Sequence, residues 1–145
     1  MTFGSENPVT PIATQECWEL LAAQQVGRLA TAVGSMPDIV PINFVVDGSS
    51  LVFRTAAGSK LFAVTINATV ALEVDNWTET GGWSVVARGL AHEVTADDEL
   101  TQVEALPLRP WVPTIKQHFV RISVNEISGR RFAFGDEPEV DYTLG

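Results

Sequence analysis

The chain holds a single cysteine, Cys17. One thiol closes no internal disulfide, which agrees with a reducing compartment. Long apolar runs are absent as well: hydrophobic residues make up 46% of the chain, yet no stretch approaches the roughly 20 residues that a membrane helix needs. The opening Met1-Thr2-Phe3-Gly4-Ser5-Glu6 has neither a basic patch nor an apolar core, so the sequence predicts no secretory signal and a cytoplasmic protein. Cations are scarce. Nine Lys and Arg stand against 18 Asp and Glu, a net charge of −9, which disfavours phosphate backbones as partners. No nucleic acid and no membrane are therefore expected as partners. The two histidines, His92 and His118, lack a second ligand at metal-binding spacing, and there is no Gly-x-Ser-x-Gly elbow, so neither a metal site nor a serine triad is expected.

What is present fits one domain of 145 residues, large enough to bury roughly 70% of the surface of the unfolded chain. Residues 1–13, with Pro8 and Pro11, read as an arm, residues 14–134 as the domain, and residues 135–145 as an acidic tail. Thr14 is placed to cap a helix carrying Cys17, Trp18, Leu20 and Leu21 on one stripe, ended by Gly27. Strands are expected at 28–33, 39–46, 51–55, 69–75, 83–94 and 119–127, the last perhaps extended by 131–134. Asp47-Gly48 marks a hairpin. Pro41 demotes its strand to an edge or a bulge, and Gly89 marks a bulge or bend. A short helix is expected after Gly58 and another after Thr95, with Thr95 and Asp98 as its caps. Pro107, Pro110 and Pro113 form a stiff loop around Trp111. The pattern is mainly β with short helices, six to seven antiparallel strands, and by itself leaves barrel and sandwich both open.

The strongest chemical signal is Arg54-Thr55-Ala56-Ala57-Gly58-Ser59-Lys60. A strand end running into a helix start supplies outward amides and a positive dipole, which suit a phosphate. Gly58 permits close approach, Thr55 and Ser59 offer hydroxyls, Lys60 a point charge and Arg54 a planar fork. Spacing alone leaves two readings open, an anion site or a polar turn with two solvated cations. It is not a Walker loop. Trp83, after Gly81-Gly82, is equally open between a core aromatic and a stacking platform for a planar ligand. A protein nucleophile is missing, which suits chemistry carried by a cofactor.

Taken in order, Cys17-Trp18-Glu19-Leu20-Leu21, Val26-Gly27-Arg28-Leu29-Ala30-Thr31, Asp38-Ile39-Val40-Pro41-Ile42-Asn43-Phe44, Phe53-Arg54-Thr55 with Gly58-Ser59-Lys60, and Gly82-Trp83-Ser84-Val85-Val86 with Arg88-Gly89 resemble the pyridoxamine 5′-phosphate oxidase-like flavoproteins, the FMN-binding split-barrel superfamily. The resemblance covers roughly residues 14–134. It implies a six- to seven-stranded antiparallel split β-barrel, FMN as cofactor, and a homodimer with cofactor sites at the interface. It further implies that Val40, Pro41, Ile42, Asn43 and Phe44 lie along the flavin ring, that Arg54, Thr55, Ser59 and Lys60 hold the phosphate, and that Trp83, Ser84 and Val85 arrive from the partner subunit. The oxidases proper carry a longer basic C-terminal segment for their substrate; here Gly129-Arg130-Arg131-Phe132 is followed by acids. The chain is closer to short relatives that include flavin or deazaflavin reductases and nitroimidazole-reductase-like proteins. The expectation is an FMN-dependent oxidoreductase acting by hydride transfer on a small organic substrate. The alternatives are a deazaflavin-dependent reductase, which the scarcity of cations disfavours, and a non-catalytic flavin- or heme-binding protein.

Overall fold

Apolar residues alternate with polar ones along most of the chain, the period of strands buried on one face. The structure, a computed structural model, describes residues 7–108 and 118–138. It contains β1 (Val9–Pro11), β2 (Val26–Val33), β3 (Met36–Asp47), β4 (Ser50–Thr55), β5 (Thr69–Trp77), β6 (Gly81–Glu93) and β7 (His118–Ala133), with helices α1 (Thr14–Ala22), α2 (Ser59–Ile66) and α3 (Asp97–Glu104). All pairings are antiparallel, in the order β1-β7-β4-β3-β2-β5-β6, and β6 pairs back onto β7. Six strands thus close a ring, and β1 adds to β7 outside it. The barrel expected from the resemblance is the observed architecture.

The ring encloses Leu29, Ile42, Phe44, Leu51, Phe53, Leu72, Val74, Val85 and Ile122. Burying each such side chain contributes about 1.5–3 kcal/mol. α1 packs against the barrel through Cys17 and Leu21. The Cys17 thiol donates to the Ile12 carbonyl at 3.6 Å, and burial pushes its pKa up. A smaller cluster of Val52, Val94, Val103 and Phe119 seats α3.

The barrel is split at β3. Residues 36–43 pair with β2, whereas Phe44 to Asp47 pair with β4. The chain leaves β4 at Thr55, so among the described residues one edge of 36–43 has no strand beside it. Pro41 therefore does lie on an edge, where its missing N–H costs no ladder bond. The register of β6 on β7 shifts between Arg88 and Gly89, the bulge expected at that glycine. The Asp47-Gly48 hairpin forms, with Gly48 at φ 61°.

Other expectations need correction. α1 stops at Ala22, and Gly27 lies inside β2, where a Cβ would come within 3.1 Å of the Glu73 carbonyl and of the Leu72 and Val74 side chains. Gly27 is there for close strand packing rather than as a helix stop. Neither Thr14 nor Thr95 caps a helix: the N-caps are Ala13 and Ala96, without side-chain bonds. Three acids in the first turn of α3, Asp97, Asp98 and Glu99, meet the helix dipole instead. Val9 to Pro11, expected within an arm, form β1 against residues 130–132. β7 runs unbroken through Gly129. The proline loop around Trp111 lies largely outside the described residues.

Candidate functional site

The segment 54–60 folds as a strand end, a three-residue loop and a helix start. The first bond of α2 is Phe62 N–H to the Gly58 carbonyl at 2.9 Å. The amides of residues 59–61 have no acceptor within the helix. Gly58, the N-cap, brings no side chain to them. Its backbone, at φ 159° and ψ −160°, lies where glycine is favoured, and a Cβ built there meets nothing within 4 Å. The approach to the helix start is open. Ser59 is exposed and Lys60 half-buried. The Arg54 guanidinium sits 5.0 Å from the centroid of the Phe119 ring, which fixes its plane. Thr55 is buried at the end of β4, and its hydroxyl donates to the Ala56 carbonyl at 3.1 Å, so Thr55 shapes the loop. No acid lies within 54–60, in a chain with 18 of them. A donor set of amides, hydroxyl, ammonium and guanidinium without a carboxylate suits an anion of the phosphate class.

On β3, the Ile42 and Phe44 side chains enter the core, while Pro41 is exposed and Val40 and Asn43 are half-buried. Asn43 and Phe44 border a cavity of about 300 Å³ closed by Gln25, Pro107 and Leu108. The sequence gave no sign of Gln25 or Leu108, since neither belongs to a patterned element. Phe44 pairs with Phe53, so this stretch lies beside the strand that carries Arg54.

Trp83, Ser84 and Val85 are elsewhere. Thr55 pairs with His118 at the start of β7, whereas Trp83 pairs with Arg131 near its end. Roughly 40 Å of strand path separates the two at 3.3 Å per residue. Val85 is fully buried in the barrel. Trp83 and Ser84 instead border a pocket of about 470 Å³ that sequence reasoning missed, lined also by Glu73, Asp75, Trp77, Phe132 and Phe134. The signal was the alternation Glu73, Asp75, Trp77 on one face of β5, masked by reading Trp77 as a loop residue. One Arg28 nitrogen, Nη1, donates to Glu73 at 2.8 Å and to Asp75 at 3.1 Å. Burial, reinforced by the Asp75 carboxyl, holds the Glu73 pKa above the ordinary glutamate value.

The histidines take structural partners: His118 Nδ1 lies 2.7 Å from Glu93, and His92 Nε2 lies 3.4 Å from Glu99. Arg121 donates to Glu99 at 2.7 Å, to Asp47 at 2.9 Å and to the Ser50 hydroxyl at 2.6 Å. Arg131 pairs with Glu16, and Arg130 is exposed opposite Ser84. No helix among the described residues is long and apolar enough to cross a membrane.

Comparison with known proteins agrees with this geometry. The family profile described as pyridoxamine 5′-phosphate oxidase matches residues 13–131. An uncharacterised protein of Mycobacterium tuberculosis is 40% identical over 100 residues, covering 69% of this chain and 91% of its own. A solved structure from Corynebacterium glutamicum, provisionally assigned as a pyridoxamine 5′-phosphate oxidase, is 41% identical, with TM-score 0.82 over 92% of this chain and 100% of that one. The FAD-binding protein of Mycobacterium smegmatis is 39% identical, with TM-score 0.76 over 86% of this chain and 99% of that one.

Proposed function

The chain belongs to the pyridoxamine 5′-phosphate oxidase family, and from that premise we propose that it is a homodimeric oxidoreductase that binds FMN and acts on a small organic molecule. The observation that carries the reading is the acid-free strand–loop–helix segment at 54–60, with its open helix start at Gly58. Arg54, Ser59, Lys60 and the first amides of α2 would hold the flavin phosphate, with Thr55 keeping the loop in shape. The open edge of β3 would offer the backbone groups of Val40, Pro41 and Asn43 to the ring. A bound flavin would supply hydride exchange at its N5. The protein's share is to fix the phosphate, orient the ring and exclude water from one face through Phe44 and its neighbours. Trp83 and Ser84 would reach the ring from a second copy, since they lie at the far end of β7 from the clamp.

Titration of flavin-free protein with riboflavin, FMN and FAD, followed by flavin fluorescence, tests the clamp. FMN is expected to bind roughly 10- to 100-fold more tightly than riboflavin, the equivalent of one or two charge-assisted phosphate bonds. Lys60→Ala is expected to remove most of that margin. Equal affinity for riboflavin and FMN would remove the phosphate assignment. The FAD-binding relative makes FAD the second candidate, and a tighter FAD curve in the same titration would favour it.

A further inference from the structure

We infer that the outer face of the β5–β6–β7 corner is a binding subsite for an aromatic organic cation, a planar ring system carrying an alkylated or protonated nitrogen. Trp77 on β5, Gly82 on β6 and Phe132 on β7 lie in one cross-strand row. The central strand contributes only Gly82 and Ser84 to this face, so a low floor lies between aromatic walls. The glycine is required there: a Cβ on Gly82 would come within 2.7 Å of the Trp77 Cβ and 2.6 Å of the Asn76 carbonyl. Phe134 extends the wall. Trp77 is 67% exposed and Phe134 51%, so both rings present faces to a ligand. The pocket, about 470 Å³, takes one fused bicyclic ring.

Charge selects the ligand. Glu73 and Asp75 line the pocket, and no cation does. The two carboxylates share a single Arg28 nitrogen, which leaves surplus negative charge at that end. Arg131, nearby in the register, is paired with Glu16, and Arg130 is not among the lining residues. Aromatic faces attract cations through their quadrupole, and carboxylates add to that attraction. An anionic ligand would meet the same charge as repulsion. The inference does not rest on the flavin reading, because the 54–60 clamp lies at the other end of β7.

The test is a calorimetric titration of flavin-free protein with 1-methylquinolinium and with 2-methylquinoline, a neutral ring of similar shape, at neutral pH. The cation is expected to bind roughly tenfold more tightly, the scale of a partly desolvated cation–π contact. Asp75→Asn is expected to erase that preference while leaving the affinity for the neutral ring unchanged. Trp77→Ala is expected to weaken both ligands. Glu73→Gln, which removes a carboxylate whose charge burial disfavours, serves as the second charge variant and is expected to fold. Thermal melting confirms that each variant is folded. Equal affinity for the two rings, heat from neither, or a preference that survives both Asp75→Asn and Glu73→Gln would overturn the inference. Binding that vanishes as protein concentration rises would assign the pocket to a second copy of the chain and overturn it too. Flavin is absent throughout, so none of these results bears on the phosphate clamp.

Discussion

Arg121 shows how one side chain holds two parts of the barrel in place. It is only 14% exposed, and its guanidinium reaches Glu99 on α3, Asp47 and Ser50 at the β3–β4 hairpin. Removing the charge while keeping the stem, as in Arg121→Met, leaves two carboxylates facing each other without a donor. The expected cost is about 2 kcal/mol, read from urea unfolding, since bonds to charged groups contribute about 1.5–3 kcal/mol. An unchanged midpoint would show that the network contributes nothing to stability. The same contact gives a pH dependence. The hydrogen bond from Arg121 is the main cause holding the Glu99 pKa below the ordinary glutamate value, with His92 helping and burial opposing. A carboxylate depressed in the folded state stabilises the fold above its unfolded pKa, and that stability is lost as pH falls through the folded value. The stability difference between wild type and Glu99→Gln is therefore expected to be full near neutrality and to shrink below the ordinary glutamate range. A difference that stays constant down the pH series would show that Glu99 is not held as an ion by Arg121.

At the scale of elements, the β6 bulge carries the clearest expectation. A Cβ on Gly89 would sit 2.1 Å from the Ser123 carbonyl oxygen and 2.9 Å from the Val124 Cα, both rigid backbone atoms. Gly89→Ala is expected to cost about 1–3 kcal/mol, the usual range for forced overpacking, and to lower the melting temperature. Gly135→Ala is the control, because a Cβ there meets nothing within 4 Å; equal melting temperatures for the two variants would remove the bulge from the explanation. Gly89 was legible because an isolated glycine inside a strong strand pattern has few other uses. Gly27 was not, because close contact with Leu72 and Val74 is tertiary, and a glycine after a helical stripe looks like a stop. The threonine caps failed for a related reason: Thr14 and Thr95 have the right side chain, but the chain turns into each helix at the neighbouring alanine. α2 formed despite Val64, Thr65 and Ile66, which disfavour helix locally, because Ala63 and Val64 are buried against the barrel. The donor-rich 54–60 segment was readable because all its groups lie within seven consecutive residues. The aromatic pocket was not, since Glu73, Trp77, Gly82 and Phe132 meet only once β5, β6 and β7 are in register.

The whole molecule raises the question of how a clamp at one end of β7 and Trp83 at the other serve one ligand. A two-fold dimer answers it, because an isologous interface repeats every contact and brings each end beside its counterpart. Exposed Met36 and Ile39 on β3 and Phe62 and Ile66 on α2 supply apolar surface near the clamp for such a contact. Light scattering is expected to give twice the mass of the chain, and a monomer would remove the composite site. A sharper test uses two variants that each spoil a different half, Lys60→Ala and Trp83→Ala, each expected to bind FMN weakly by itself. Mixed after reversible dissociation, random pairing makes about half the dimers hybrid, and each hybrid has one intact site and one doubly spoiled site, so about a quarter of all sites should regain wild-type affinity. Affinity that stays low in the mixture, with hybrids verified by mass, would place Trp83 outside the partner's flavin site. The clamp would then act within a single chain, with the β3 edge and the cavity at Gln25 and Asn43 as the surfaces left to meet the ring.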